Sequence, residues 1–194
     1  MRRIACFVAL LASASAAASP LELRADLRVG GATGWGIGGA QKDRDFFDQT
    51  KGESYGVLVG LSILFADVWI AHDQFTDLSS VKGTWTELGV GWVMTIPMLD
   101  SVNLNIGLGG SFGVGTGRQI SPPLDNAQIS DKGFLGEVNV GLEYRMNRVV
   151  ALGVSVPAAW GFMFKNDVPA TETSSHYQTF RVLLLGTVGL RFGL

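Results

Sequence analysis

The stretch VNLNIGLGGSFGVG (102–115) is apolar at every second residue from Val102 to Val114, with Gly110 the one gap. Strict alternation marks a strand with two unlike faces. The second face holds Asn103, Asn105, Gly107, Gly109, Ser111, Gly113 and Gly115, without a Lys, Glu, Thr or Arg among them. A water-facing strand normally carries such residues. An apolar face backed by small, uncharged ones asks for an apolar medium on one side and a crowded space on the other.

Six further stretches repeat the alternation: 21–30, 54–66, 84–96, 134–145, 149–164 and 177–194. VWIAHDQFT (68–76) is a strand by its position, with no distinctly apolar face. The connectors alternate in length. Short ones fall at Ala66-Asp67, Pro97 to Ser101 and Met146-Asn147-Arg148; longer, more polar ones fall at 35–53, 77–83, 116–132 and 165–176. Eight strands with short turns at one end and long loops at the other predict an all-β fold, an eight-stranded antiparallel up-and-down transmembrane β-barrel. Strands of nine or more residues cross a bilayer when tilted, and closure leaves no unpaired edge in lipid.

Composition agrees. Charged residues make up 16% of the 194, against roughly 25% in an average soluble domain. A soluble eight-stranded barrel, apolar inside and wet outside, shows the same alternation but needs lysines on its strands. Here Lys42, Lys51, Lys82, Lys132 and Lys165 all fall in the expected long loops or at their edges. The N-terminus reads as a signal peptide over 1–18: Arg2 and Arg3, an apolar run from Ile4 to Leu11, then Ala16-Ala17-Ala18 as the cleavage site. The mature chain, 19–194, then lacks the single cysteine, Cys6, and its net charge moves from −2 to −4 as Arg2 and Arg3 leave. That balance argues against nucleic acid as a partner.

The polar faces place Glu22, Arg24, Asp26, Arg28, Glu87, Glu137, Glu143, Arg145, Arg181 and Arg191 inside. Unpaired charge in a tight interior is costly, so a lumen charge network is expected, with Arg28, Glu87, Glu137, Glu143 and Arg181 as members, rather than an open pore. Trp69, Trp85, Tyr144, Trp160 and Phe192 lie near strand ends, where barrels place interfacial aromatics. GWGIGG (34–39) has the spacing of a dinucleotide loop but no strand–helix unit around it, so no cofactor is expected. Two distant histidines and scattered acids give no metal-ligand spacing. The acidic stretch 42–53 reads as a solvated loop. For catalysis the weak candidates are His176 with Ser174 and Glu172, or His72 with Asp73, since a hydrolase needs a nucleophile, a base and an orienting acid.

The whole mature chain resembles the small bacterial outer-membrane barrels of the OmpA-transmembrane-domain and OmpX type. The closing LLLGTVGLRFGL (183–194) is similar to that family's C-terminal assembly signal, although Phe192 is third from the end and Leu194 is last. The resemblance implies export to the outer membrane, contact with its lipid and lipopolysaccharide, and recognition of the last strand by the barrel assembly machinery. It also implies a monomer with periplasmic termini and surface contacts through loops 35–53 and 116–132. A structural or surface-interaction role is expected, ahead of a lipid A deacylase or acyltransferase, in which Ser follows His rather than preceding it, and ahead of a small ion channel.

Overall fold

The structure, a computed structural model, describes residues 21–37, 52–76, 81–119, 128–165 and 176–193. They form eight strands: β1 (Leu21–Ile37), β2 (Gly52–Ile63), β3 (Ala66–Thr76), β4 (Val81–Leu99), β5 (Val102–Gln119), β6 (Gln128–Arg145), β7 (Val150–Lys165) and β8 (His176–Gly193). Each pairs antiparallel with the next, and β8 pairs back onto β1 to close the barrel. The expected signal peptide, 1–18, lies outside the described residues.

Alternation sorts every strand into two faces. Outward rows are apolar and exposed: Leu27, Val29, Val57, Val59, Val90, Leu108, Phe134, Leu142, Val154, Leu184 and Val188 all stand out from the wall. On β5 the outward row runs from Val102 to Val114. That is about 40 Å of strand, or about 30 Å of height at a tilt of roughly 40°, the thickness of a bilayer core. A soluble chain with this surface would aggregate.

The strand ends differ from the sequence expectation. The first short turn is Leu64–Phe65, not Ala66-Asp67, and Asp67 points inward from β3. β4 reaches Leu99, with a register irregularity between Pro97 and Leu99. At the long-loop end, β1, β4, β5 and β6 extend into stretches expected as loop. Thr84 pairs with Thr116 there, side chain to side chain at 3.0 Å, and Lys132 sits outward on β6 opposite Phe164. Pairing continues past the apolar belt while the outward residues turn polar, so the hydrophobic alternation stops before the strand does.

Candidate functional site in the barrel lumen

The inward faces fill the barrel with two kinds of packing. Toward the long loops, Phe75, Trp85, Leu135, Ala159, Met163, Tyr177, Leu183 and Leu185 form a buried apolar cluster. Trp85 is wholly buried and its indole N–H donates to Glu87 Oε2 at 2.6 Å. Tyr177 donates its hydroxyl to Asp131, and Lys165 lies 5.6 Å from the Tyr177 ring centre. Bulky rings fit this narrow space because glycines opposite them carry no side chain. A Cβ on Gly113 would collide with the Trp85 ring, and one on Gly89 with the Trp69 ring.

Ion pairs run from the middle of the lumen to the short-turn end. Arg181 donates to Glu87 at 2.6 Å and to Glu137 at 3.1 Å, and its guanidinium stacks 5.6 Å from the Trp85 ring centre. Ser111 donates to Glu137 at 2.7 Å. Arg28 pairs with Asp73, and Arg24 with Asp67, which also accepts from Ser62 at 2.9 Å. Lower down, Arg191 holds Asp26 and Glu143, while Arg145 holds Glu143 at 2.8 Å and Glu22 at 3.0 Å. The expected network residues Glu87, Glu137 and Arg181 thus meet one another, whereas Arg28 and Glu143 take other partners. Sequence reading missed Asp67, Asp73 and Asp131. Asp67 and Asp73 share the parity of Trp69 and Phe75 on β3, a strand whose inward face the sequence does not distinguish.

A cavity of about 130 Å³ lies among the ion pairs, walled by Arg24, Arg28, Asn105, Asn139, Leu183 and Leu185 among others. Asn139 Oδ1, Arg24 Nε and Arg28 Nε have no protein partner. Polar walls of this size suit water.

Two of the expected interfacial aromatics are placed differently. Trp69 and Trp85 are buried in the lumen, at 9% and 0% exposure, because they stand in phase with Asp67 and Glu87. Tyr144, Trp160 and Phe192 point outward and are exposed. Trp160 lies 5.7 Å from Phe162, and Phe112 lies 4.9 Å from Phe134, so the outer wall of β5 to β7 carries an aromatic patch.

Of the catalytic candidates, His72 and Asp73 are not brought together. His72 faces outward and its Nδ1 lies 2.7 Å from Thr86 Oγ1. Its sequence neighbour Asp73 faces the other way, into the lumen, where it is buried against Arg28. Adjacent residues of a strand cannot form a His–Asp pair on one face. His176 is exposed at the start of β8, which β1 and β2 separate from β3. Ser174 and Glu172 lie outside the described residues. Among the described residues no group of three or more His, Cys, Asp or Glu is arranged to hold a metal ion.

Closed eight-stranded topology, an apolar outer wall and a side-chain-filled interior define the fold of the small outer-membrane barrels. The structure is similar to the N-terminal β-barrel domain of Pseudomonas aeruginosa OprF, at 13% identity and a TM-score of 0.51, covering 87% of this chain and 97% of that one. It is similar too to Neisserial surface protein A, at 13% identity and a TM-score of 0.52, covering 91% and 98%. No protein-family model matches the sequence, and no curated protein does.

Proposed function

We propose that the chain is an outer-membrane barrel, exported by cleavage of residues 1–18, that acts through its surface rather than as a pore or an enzyme. The observation that carries this reading is the pairing of an exposed apolar outer wall with an interior crossed by ion pairs and buried rings. Lipid is the medium such a wall needs. Lipopolysaccharide and phospholipid then surround a monomer, the assembly machinery recognises β8, and loops 35–53 and 116–132 meet surface partners. Tyr144, Trp160 and Phe192 serve as interfacial anchors.

Refolding into phospholipid vesicles tests the reading. The folded band should run with heat-shifted mobility, and planar bilayers holding it should show no reproducible conductance steps. Steps altered by Glu137→Gln would establish a channel instead. Mass spectrometry of lipopolysaccharide and phospholipid incubated with the barrel should show unchanged acyl chains; loss or transfer of a chain would make it an enzyme and return attention to His176, Ser174 and His72.

The lipid-facing wall makes a separate prediction. Leu108 is the central residue of the outward row on β5, so Leu108→Arg should destabilise the barrel in vesicles by about 2–4 kcal/mol. Gln74→Arg, at an outward polar position, should leave stability nearly unchanged. Urea titration of both variants measures the contrast. Equal, small losses would move the apolar belt out of lipid.

A further inference from the structure

The short-turn end of the barrel carries an exposed apolar ring. The β2–β3 turn presents Leu64 and Phe65, the end of β4 presents Met98 and Leu99 just before the polar Asp100–Ser101 turn, and the β6–β7 turn presents Met146 and Val149. Leu64 and Leu99 are 68% and 71% exposed, as much as any apolar residue of the wall. Turns that stand in water draw on Gly, Asn, Asp and Ser. Here only the Asp100–Ser101 turn and Asn147 are of that kind, and Asn147 is spent on the turn itself, its Oδ1 accepting from the backbone N–H of Val149 and Val150 at 2.8 and 2.7 Å.

Backbone geometry sharpens the point. Leu64 has φ 56°, the left-handed region, and it is the only non-glycine residue to do so among the described residues. A tight hairpin turn normally gives such a position to Gly or Asn. Leucine is disfavoured there, so the strain is tolerated for a side chain the turn displays. The ring is also continuous with the outer wall. Phe65 packs on outward-facing Trp92 of β4, centroids 6.4 Å apart, and the Phe65 carbonyl accepts from Val93 N–H at 2.9 Å. On β2 the outward row Val57, Val59, Leu61, Ile63 runs into Leu64 without a polar break. Exposed Arg148 lies between Met146 and Val149, a cation beside apolar groups as at a phosphate-bearing interface.

We propose that the short-turn end is seated in the phospholipid monolayer on its side of the membrane, with the three turns at headgroup and glycerol depth rather than in water. The occupant of the ring is phospholipid, and the inference rests on the transmembrane reading above. The mature chain has no cysteine, so single substitutions give unique labelling sites. Leu64→Cys, Leu99→Cys and Met146→Cys, each carrying an environment-sensitive fluorophore, are refolded into dimyristoylphosphatidylcholine vesicles beside Leu108→Cys as the mid-wall reference. Iodide should quench all three turn labels several-fold less than the same labels on the urea-unfolded chain, and a spin label near the lipid headgroup should quench them more than one at the chain end. Full quenching by iodide at the turns, with Leu108→Cys protected, would overturn the proposal and leave the ring for a protein partner. Full quenching at Leu108→Cys as well would show that the chain had not entered the bilayer, and the transmembrane reading would fall with it. Three independent turns keep the test decisive if one variant fails to fold.

Discussion

Arg181→Met is expected to lower the unfolding free energy of the barrel by about 3–5 kcal/mol, the loss typical of breaking a buried ion pair from one side. Arg181 is 4% exposed and donates to both Glu87 and Glu137. Methionine fills similar volume without charge, so the loss measures two stranded carboxylates rather than a cavity. Trp85 N–H and Ser111 O–H would still reach them, but neither carries charge. The triple variant Arg181→Met, Glu87→Gln, Glu137→Gln should regain most of the loss, since replacing a whole buried network by neutral groups is often close to neutral. Urea unfolding in vesicles, followed by tryptophan fluorescence, measures each variant. A loss below about 1 kcal/mol for the single change, the range of exposed pairs, would mean that the three groups are solvated and the lumen is open.

Gly113→Val should be at least as severe, and here the cause is shape. The Trp85 ring lies against the backbone at Gly113, and any Cβ there overlaps the six-membered part of the indole. Trp85 is wholly buried, so it has nowhere to swing without dislodging the Glu87 pairing. Overpacking of this kind costs about 1–3 kcal/mol in ordinary cores, and a rigid barrel places the change at the upper end or prevents folding. Gly89→Val should behave alike through Trp69. Gly110→Val and Gly136→Val are the controls: both glycines face outward, and a Cβ meets only a backbone oxygen at 3.5 and 3.7 Å. These should fold with wild-type heat-shifted mobility. Gly113→Ala with Trp85→Leu should restore folding that Gly113→Ala weakens. Equal tolerance of all four valine changes would mean that the rings are not held against the wall.

The architecture was legible because alternation with period two is a direct record of a two-faced wall. β5, β6 and β8 show it plainly, and all ten charges expected inside lie in phase with the inward rows. β3 was opaque for a physical reason: its inward face mixes Trp69, Ala71 and Phe75 with Asp67 and Asp73, and its outward face mixes Val68 and Ile70 with His72 and Gln74, so the two faces show no contrast. Trp69 and Trp85 misled in another way. An aromatic near a strand end reads as an interfacial residue, yet each stands in phase with an inward charge, Asp67 and Glu87, and parity was the better guide. Pairing partners were beyond reach. Arg28 meets Asp73 rather than Glu87 because β1 and β3 face each other across β2, a relation set by tilt and closure that no local pattern encodes.

Several lumen ion pairs join the two ends of the chain. Arg191 of β8 holds Asp26 of β1 and lies 4.0 Å from Glu22 of the same strand. None of these partners can meet until the last strand has found the first. A half-built sheet would therefore carry bare guanidinium and carboxylate groups along its inner face, together with two unpaired strand edges. Neither tolerates hydrocarbon. Partial structures are thus kept at the water's edge, and the order of assembly follows: sealing the seam and crossing the membrane become one concerted event, in which the last contacts to form are those that make the barrel admissible to lipid.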